Sequence, residues 1–270
     1  MPELPEIANR TQEIKTSLIG KRIVSINILQ PKCLNLDTES FQKKLSGAAI
    51  QEASYKGKWI FIETSQGWLL LNMGMGGELI LTDPDHLPEK HRLVFYFSDQ
   101  TCLAVNFWWF GYAHFVEIGQ LEIHEMSARL GPNVLDLSHE EFYRLISNRK
   151  GTLKSYLLNQ GNVAGIGNAY IHDILFFAKL HPMRSIPSLS IEEISNLYVG
   201  IQKGLRMSLE KGGAFYELNL YGKKGGFLME DHIIAYREEQ PCPNCGTPIQ
   251  KIKTGSNSSF ICPNCQPLSE

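Results

Sequence analysis

Four of the six cysteines lie in two close pairs near the end of the chain, where their thiolates could hold a metal ion. Both pairs read C-P-N-C, and residues 246–261, 16 in number, separate them. Each C-x2-C turn brings two sulfurs together, and a hairpin between the pairs would close a tetrahedral site suited to zinc. Disulfides compete with this interpretation, but a cytosolic setting and the repeated motif argue against them. We therefore predict one structural Zn²⁺ ion, with no open position for catalysis, on Cys242, Cys245, Cys262 and Cys265.

A glycine-rich loop at residues 159–168 is the second feature with chemical potential. Gly165 and Gly167 would let the backbone come close to a ligand. Free amides at the start of the next helix would favour a phosphate, and Lys154 could add a positive charge. The same G-x-G spacing also serves plain helix packing, and the residues alone leave both interpretations open. The third glycine of a dinucleotide fingerprint is missing.

The secondary-structure elements that must position these groups are predicted to be mainly strands in the first part of the chain and helices in the second. One helix is predicted over residues 6–19, and residues 21–116 hold short β-rich segments typical of a sandwich or barrel. From Ser138 the apolar period becomes helical, and Ser138–Glu141 is a capping-box pattern. Further helices are predicted over residues 151–159, 168–178 and 191–211.

The charge of the chain is unevenly distributed. A net charge of −2 and an isoelectric point near 6.5 would by themselves argue against nucleic-acid binding. Residues 61–141 hold three basic and twelve acidic residues, whereas residues 142–191 hold six basic residues and one acidic residue. Such a basic segment can attract a polyanion whatever the total charge, although a solvated helix face is the favoured explanation when the charge is taken alone.

The composition also indicates the compartment. The densest apolar run, Trp68–Leu71, is far shorter than the roughly 18 residues that a membrane-spanning helix needs. The first residues are acidic, where a signal peptide would be basic and then apolar. We therefore expect a cytoplasmic protein without a membrane partner, associated with the nucleoid if the chain is bacterial.

Taken together, the motifs resemble the formamidopyrimidine-DNA glycosylase and endonuclease VIII family of base-excision repair enzymes. The resemblance covers nearly the whole chain and rests on ordered motifs: Pro2–Glu6, Lys58 in Gly-Lys-Trp, Met73–Gly77, Leu130–Pro132, Lys154–Asn168, His181-Pro182 and the four cysteines. It implies an α+β multidomain fold and a monomer that binds damaged DNA. The implied domains are a catalytic β-sandwich with an N-terminal helix at 1–130, a helix–two-turn–helix domain at 131–230 and a zinc ribbon at 231–270.

The resemblance also implies the chemistry of the N-terminus. Removal of Met1 would expose the secondary amine of Pro2, and an α-amine with a reference pKa of about 8 is partly neutral at physiological pH. The amine would attack C1′ of a damaged nucleotide, expel the base and form an iminium that permits strand cleavage. Glu3 would be the proton shuttle, and Glu6 would lie near the leaving base or sugar. Taken alone, the two glutamates would be ordinary first-turn helix charges.

Contacts to DNA are implied at further positions. Lys58 would contact a phosphate or assist proton transfer, and His91 would contact DNA, although each would otherwise be read as a surface residue. Lys154, Gly167 and Asn168 map onto the phosphate-binding loop, which fixes register without reading sequence. Side chains that fill the gap left by an extruded nucleotide would be Met75, Trp108 and Phe110.

The chain departs from the family pattern at several places, among them residues 235–242 before the ribbon, which are more acidic than the family norm. Trp108 replaces an arginine expected to bind the orphaned base, and stacking could substitute for that contact unless the tryptophan is a core residue. Asn257 replaces an arginine associated with the second elimination step. Residues 212–219 lack the usual threonine-rich loop that covers 8-oxoguanine. Lesion recognition is therefore expected to differ.

These observations lead to a DNA glycosylase with AP-lyase activity that acts on a lesion other than, or besides, 8-oxoguanine. A protein that binds damaged or branched DNA on the same fold, with weakened turnover, is the alternative. A third possibility is an unrelated zinc-ribbon enzyme with an N-terminal proline nucleophile, which would not bind DNA. The charge pattern further predicts weak binding to undamaged DNA with a shallow salt dependence.

Overall fold

The computed structural model describes residues 1–108, 110–255 and 257–268. The chain divides into two compact units. The first comprises Met1–Arg129 and Lys211–Gly226, and the second comprises Leu130–Glu210 and the described residues from Phe227 onward. Residues 211–226, which the sequence assigned to the helical domain, therefore cluster with the N-terminal unit, and the ribbon clusters with the helices.

The first unit is a β-sandwich with an N-terminal helix, as predicted. Helix α1 (Leu4–Leu18) ends before Gly20, whose φ of +86° suits a residue without a Cβ. Two four-stranded antiparallel sheets follow, with strand orders β1-β6-β7-β5 and β2-β3-β4-β8. The strands are β1 Ile23–Ile28, β2 Ile50–Lys56, β3 Trp59–Thr64, β4 Gly67–Asn72, β5 Glu78–Thr82, β6 Leu93–Phe97, β7 Cys102–Asn106 and β8 Tyr112–Val116.

The core of this unit lies among the two sheets and α1. Apolar side chains from both sheets, such as Phe95 and Leu71, form one buried cluster with Ile7 and Ile14 of α1. Phe41 joins this cluster from a short helix, α2 (Thr38–Leu45), where the sequence predicted only strands. Asp37 caps α2 by accepting a hydrogen bond from the Ser40 amide at 2.9 Å.

The described part of the second unit contains four α-helices and one β-hairpin. The helices are α3 His139–Ile146, α4 Leu153–Leu158, α5 Ile171–Phe177 and α6 Ile191–Glu210, and the hairpin pairs β9 Gln250–Thr254 with β10 Asn257–Ile261. Helices α5 and α6 pack closely because Gly200 and Gly204 face Ile174, where an added Cβ would lie 2.7 Å from the nearest atom. Among the described residues, none of the helices has both the length and the apolar character needed to cross a membrane.

Candidate active site

The N-terminal glutamates lie inside the first unit. Glu3 and Glu6 are 4% and 2% exposed, so they are not solvated helix charges. The carboxylate of Glu6 accepts a hydrogen bond from the Glu3 amide at 2.8 Å and another from the Ala214 amide at 3.0 Å. Glu6 therefore ties the start of α1 to the segment after α6. Gly213 lies against Glu6 with φ of +95°, and an added Cβ would meet Glu6 Cγ at 3.0 Å.

A small cavity of about 10 Å³ borders Pro2, enough for about one water molecule. Glu6, Arg10 and Glu217 contribute charged side chains to its lining. Glu217 Oε1 lies 3.7 Å from the amine of Met1. Burial raises the pKa of Glu217 to about 7. Pro2 thus lies among carboxylates, in a setting where acid–base chemistry at neutral pH is possible.

The turn that carries Lys58 lies beside the glycine-rich Met73–Gly77 loop. Strand register places Trp59, which follows Lys58, opposite Asn72. The side-chain amide of Asn72 donates to the Lys58 carbonyl at 3.2 Å, and its oxygen accepts from the Gly74 amide at 3.1 Å. Asn72 therefore braces both turns, and it is a site residue that the sequence did not single out.

Three apolar side chains of the same unit lie exposed on two adjacent loops. Met75, Trp108 and Phe110 are 50%, 65% and 70% exposed. The Trp108 amide donates to the Met75 carbonyl at 3.0 Å, which joins the two loops. Gly76 lies under the indole, where a Cβ would be 3.0 Å from Trp108 Cδ2. Phe110 has φ of +56°, an uncommon backbone conformation for a bulky residue. Trp108 is therefore not a core residue, and Trp109 lies outside the described residues.

Lys154 is buried against the ribbon hairpin. Its ammonium donates to Thr254 Oγ1 at 3.2 Å, the Ser258 carbonyl at 2.6 Å and Ser259 Oγ at 2.8 Å. Burial lowers the pKa of Lys154 to about 8. The same lysine and Asn257 line a cavity of about 390 Å³. The ammonium therefore anchors the hairpin, and a phosphate at this cavity would have to share it with the ribbon.

The loop before α5 is braced from within. Gln160 donates to the Ile166 carbonyl at 2.8 Å and accepts from the Gly165 amide at 2.9 Å. Gly167 is buried, whereas Asn168 is exposed and lies where a ligand could reach it. His91, in the first unit, is half-buried, and its Nδ1 lies 2.8 Å from the Pro88 carbonyl.

The four predicted metal ligands come together in the second unit. All four sulfurs of Cys242, Cys245, Cys262 and Cys265 lie within 4.8 Å of one another, with close pairs at 3.5 to 3.8 Å. A tetrahedral zinc site with Zn–S bonds of about 2.3 Å has sulfur–sulfur edges of about 3.8 Å, so the residues fit this ion. Cys33 and Cys102 are buried elsewhere in the first unit, where unpaired cysteines commonly fill the core.

Three family models match the chain. They are the formamidopyrimidine-DNA glycosylase N-terminal domain at residues 1–106, the formamidopyrimidine-DNA glycosylase H2TH domain at residues 130–218, and the zinc finger found in FPG and IleRS at residues 239–268. The chain belongs to the formamidopyrimidine-DNA glycosylase family. This confirms the resemblance drawn from the motifs, and with the sulfur geometry it confirms one structural zinc ion in the ribbon.

Individual glycosylases of this family are similar over their full length. The formamidopyrimidine-DNA glycosylase of Streptococcus pneumoniae serotype 4 is 33% identical over 98% of this chain and 99% of its own. The formamidopyrimidine-DNA glycosylase of Oceanobacillus iheyensis is 32% identical over 99% of this chain and 98% of its own. A solved structure of a complex between the Lactococcus lactis enzyme and abasic-site DNA aligns with a TM-score of 0.90 at 27% identity, over 98% of this chain and 99% of the matched chain.

Several residues of this glycosylase-family site escape sequence reasoning. Arg10 and Glu217 carry no motif, and they are brought to Pro2 only by the fold. Gln160 lies within the glycine-rich loop, but nothing in its spacing signals a brace. Asn72 could have been suspected, because a polar residue that ends an apolar strand before a glycine-rich turn often satisfies that turn.

Proposed function

We propose that this protein removes a damaged base and cleaves the abasic site through the amine of Pro2, with lesion recognition altered from the family pattern. As a member of its family, the chain is a DNA glycosylase with AP-lyase activity in base-excision repair. The observation that carries the assignment to Pro2 is its position beside Glu6 and Glu217 in one cavity, with Glu3 also buried. Buried carboxylates beside a nucleophile are groups that can move protons.

The roles of the individual residues follow from their surroundings. Once Met1 has been removed, Pro2 is the nucleophile, Glu3 the proton shuttle, and Glu6 the group that holds residues 213–214 over the reacting centre. Lys58 contacts the phosphate beside the lesion from a turn that Asn72 fixes. Asn168 and the Gly167 backbone bind DNA phosphates, to which Lys154 contributes its positive charge. His91 contacts DNA.

Altered recognition is supported by the exposed loop tips. Trp108 presents an indole where the family pattern has a guanidinium, so it stacks on the orphaned base and does not read its edge. Met75 and Phe110 fill the gap left by the extruded nucleotide. Asn257 offers an amide where a cation would clamp a phosphate, which weakens the second elimination step. The preferred lesion is therefore one other than, or besides, 8-oxoguanine.

Borohydride trapping tests this function directly. Mass spectrometry first establishes that the purified protein begins at Pro2, and the protein is then mixed with abasic-site duplex and sodium borohydride. We expect a covalent protein–DNA complex, because reduction fixes the iminium, and we expect its yield to fall in Pro2→Gly. A panel of oxidised, alkylated and crosslinked duplexes then identifies the lesion. Tight, salt-dependent binding to abasic DNA without trapping or cleavage would indicate a damage-binding protein instead.

We further propose that the protein acts as a cytoplasmic monomer. The chain aligns over nearly its full length with glycosylases of the family whose resemblance implies a monomer. Light scattering should give a mass near 30.5 kDa, and a doubled mass would contradict it. The acidic excess of residues 61–141 also supports weak affinity for undamaged duplex, which a salt titration measures.

A further inference from the structure

Glu217 is a buried carboxylate that the motifs did not bring into the site. It belongs to the segment 211–226, which packs within the first unit, and only 9% of it is exposed. The main chain holds this segment in place, because the Leu220 amide donates to Glu13 at 2.8 Å and the Leu220 carbonyl accepts from the Leu81 amide at 2.8 Å. Glu217 is thus fixed at the cavity that borders Pro2.

The groups that face Glu217 come from the N-terminus and from α1. Burial is the main cause of its raised pKa of about 7, and the Glu6 carboxylate raises it further. The positive charges of the N-terminal amine and the Arg10 guanidinium lower the pKa of Glu217. Arg10 also pairs with Glu13 at 2.8 Å, so its charge is shared. A carboxyl that titrates near neutrality can exchange a proton with an α-amine, whose reference pKa is about 8.

We propose that Glu217 is the proton acceptor that converts the Pro2 ammonium into the neutral nucleophile. This inference rests on the proposed function of Pro2. The supporting geometry is the 3.7 Å separation between Glu217 Oε1 and the terminal amine of the unprocessed chain, together with the cavity that Pro2 and Glu217 share. Because Glu217 is only 9% exposed, burial disfavours its ionised form, which brings the neutral pair of amine and carboxylic acid within reach of the ion pair.

The proton balance of the reaction then closes. Glu217 takes one of the two protons of the Pro2 ammonium, which frees the nitrogen lone pair. That lone pair forms the N–C1′ bond while the bond from C1′ to the base breaks, and the departing base takes a proton from Glu3. The remaining N–H proton is transferred to O4′ as the C1′–O4′ bond breaks and the iminium forms. After elimination, in which C2′ loses a proton to solvent as the C3′–O bond breaks, water adds to C1′ of the iminium and gives one proton to Glu3. The hydroxyl proton of this adduct moves to the nitrogen as the N–C1′ bond breaks, which leaves an aldehyde and the neutral amine, and Glu217 then returns its proton to that amine.

The experiment compares Glu217→Gln with wild type, using Glu39→Gln as a control of the same chemistry at an exposed site on α2. Single-turnover cleavage of abasic-site DNA is followed from about pH 5.5 to 9, where the amine and carboxyl titrate. General base catalysis contributes about 10²–10⁴-fold, so Glu217→Gln should be at least about tenfold slower at pH 7. The difference in cleavage rate between Glu217→Gln and wild type should shrink towards pH 9, where solvent deprotonates the amine. Glu217→Asp keeps a carboxyl group, so its cleavage rate should still depend on pH on the acidic side of the profile, as in wild type.

Two outcomes would overturn the inference while leaving the proposed function intact. One is an unchanged pH profile in Glu217→Gln, and the other is an equal loss at every pH, as expected of a structural defect. Absence of borohydride trapping in wild type would instead overturn the function of Pro2 itself. NMR titration of carbon-labelled Pro2 in the wild-type chain provides a measurement that needs no variant. It should reveal two coupled steps, and a single step at the reference value would contradict the inference.

Discussion

Replacing the exposed indole of Trp108 by alanine is the most direct test of altered recognition. The side chain is 65% exposed and lies over Gly76, so its loss leaves the core of the first unit intact. A change in melting temperature is therefore expected to be small, as for most surface substitutions. Any large effect on DNA should reflect a lost contact with the lesion site.

The magnitude follows from the type of contact. Stacking of a base on an aromatic side chain is worth about 1–3 kcal/mol, which corresponds to roughly 5- to 160-fold in Kd. Because Trp108 is exposed before binding, little of this energy is spent in removing it from other packing. We expect Trp108→Ala to weaken binding to abasic-site duplex by a factor in this range. Binding to undamaged duplex, which has no orphaned base, should change less than twofold.

Fluorescence anisotropy of labelled duplexes measures both affinities under the same salt conditions. Ile118→Ala is the matched control, since Ile118 is 70% exposed in the same unit but outside the candidate site. Trp108→Arg adds a second comparison, because a guanidinium can restore readout of the opposite base. It should make binding depend on which base lies opposite the lesion.

Two results would refute this reasoning. If Trp108→Ala binds abasic and intact duplex with the same loss, the indole contributes general contact and not lesion recognition. If its affinity for abasic duplex matches that of Ile118→Ala, the indole does not stack at all. Either result would mean that Met75 and Phe110, and not Trp108, recognise the gap left by the extruded nucleotide.

Three further predictions concern stability. Chelation of zinc should unfold the ribbon, seen as loss of hydrogen-exchange protection in β9 and β10, and metal analysis of the native protein should give one zinc per chain. The pKa of Lys154 falls from 10.5 to about 8 on folding, so between these pH values the unfolded chain binds more protons than the folded chain. The free energy of unfolding of wild type should therefore rise by about 2–3 kcal/mol from pH 7 to pH 10, relative to that of Lys154→Met, in denaturant titrations. Gly76→Ala should cost about 1–2 kcal/mol in the same assay, because its φ is +62°, and it should also weaken abasic-DNA binding by displacing Trp108.

Local patterns predicted the parts of the molecule whose chemistry lies in adjacent residues. The two C-P-N-C turns specify the zinc site because each turn brings its own sulfurs together, whatever the rest of the chain does. Gly20 ends α1 and Ser138 begins α3 for the same reason, since caps act within a few residues. Helix α2 was missed because one apolar face of eight residues, in a region rich in strands, carries little periodic signal.

The surroundings of Pro2 could not be predicted in this way, because they are assembled across the chain. The hydrogen bond from Ala214 to Glu6 spans 208 residues, and that from Leu220 to Glu13 spans 207. Neither segment contains a sequence pattern that reveals its partner. The sequence also does not distinguish a buried glutamate in a loop from a solvated one. The composition of residues 212–219 indicates only that a familiar loop is absent. Within that segment Glu217 lies 3.7 Å from the terminal amine, so the same segment would bear both on the proposed lesion recognition and on the proposed proton chemistry of the nucleophile.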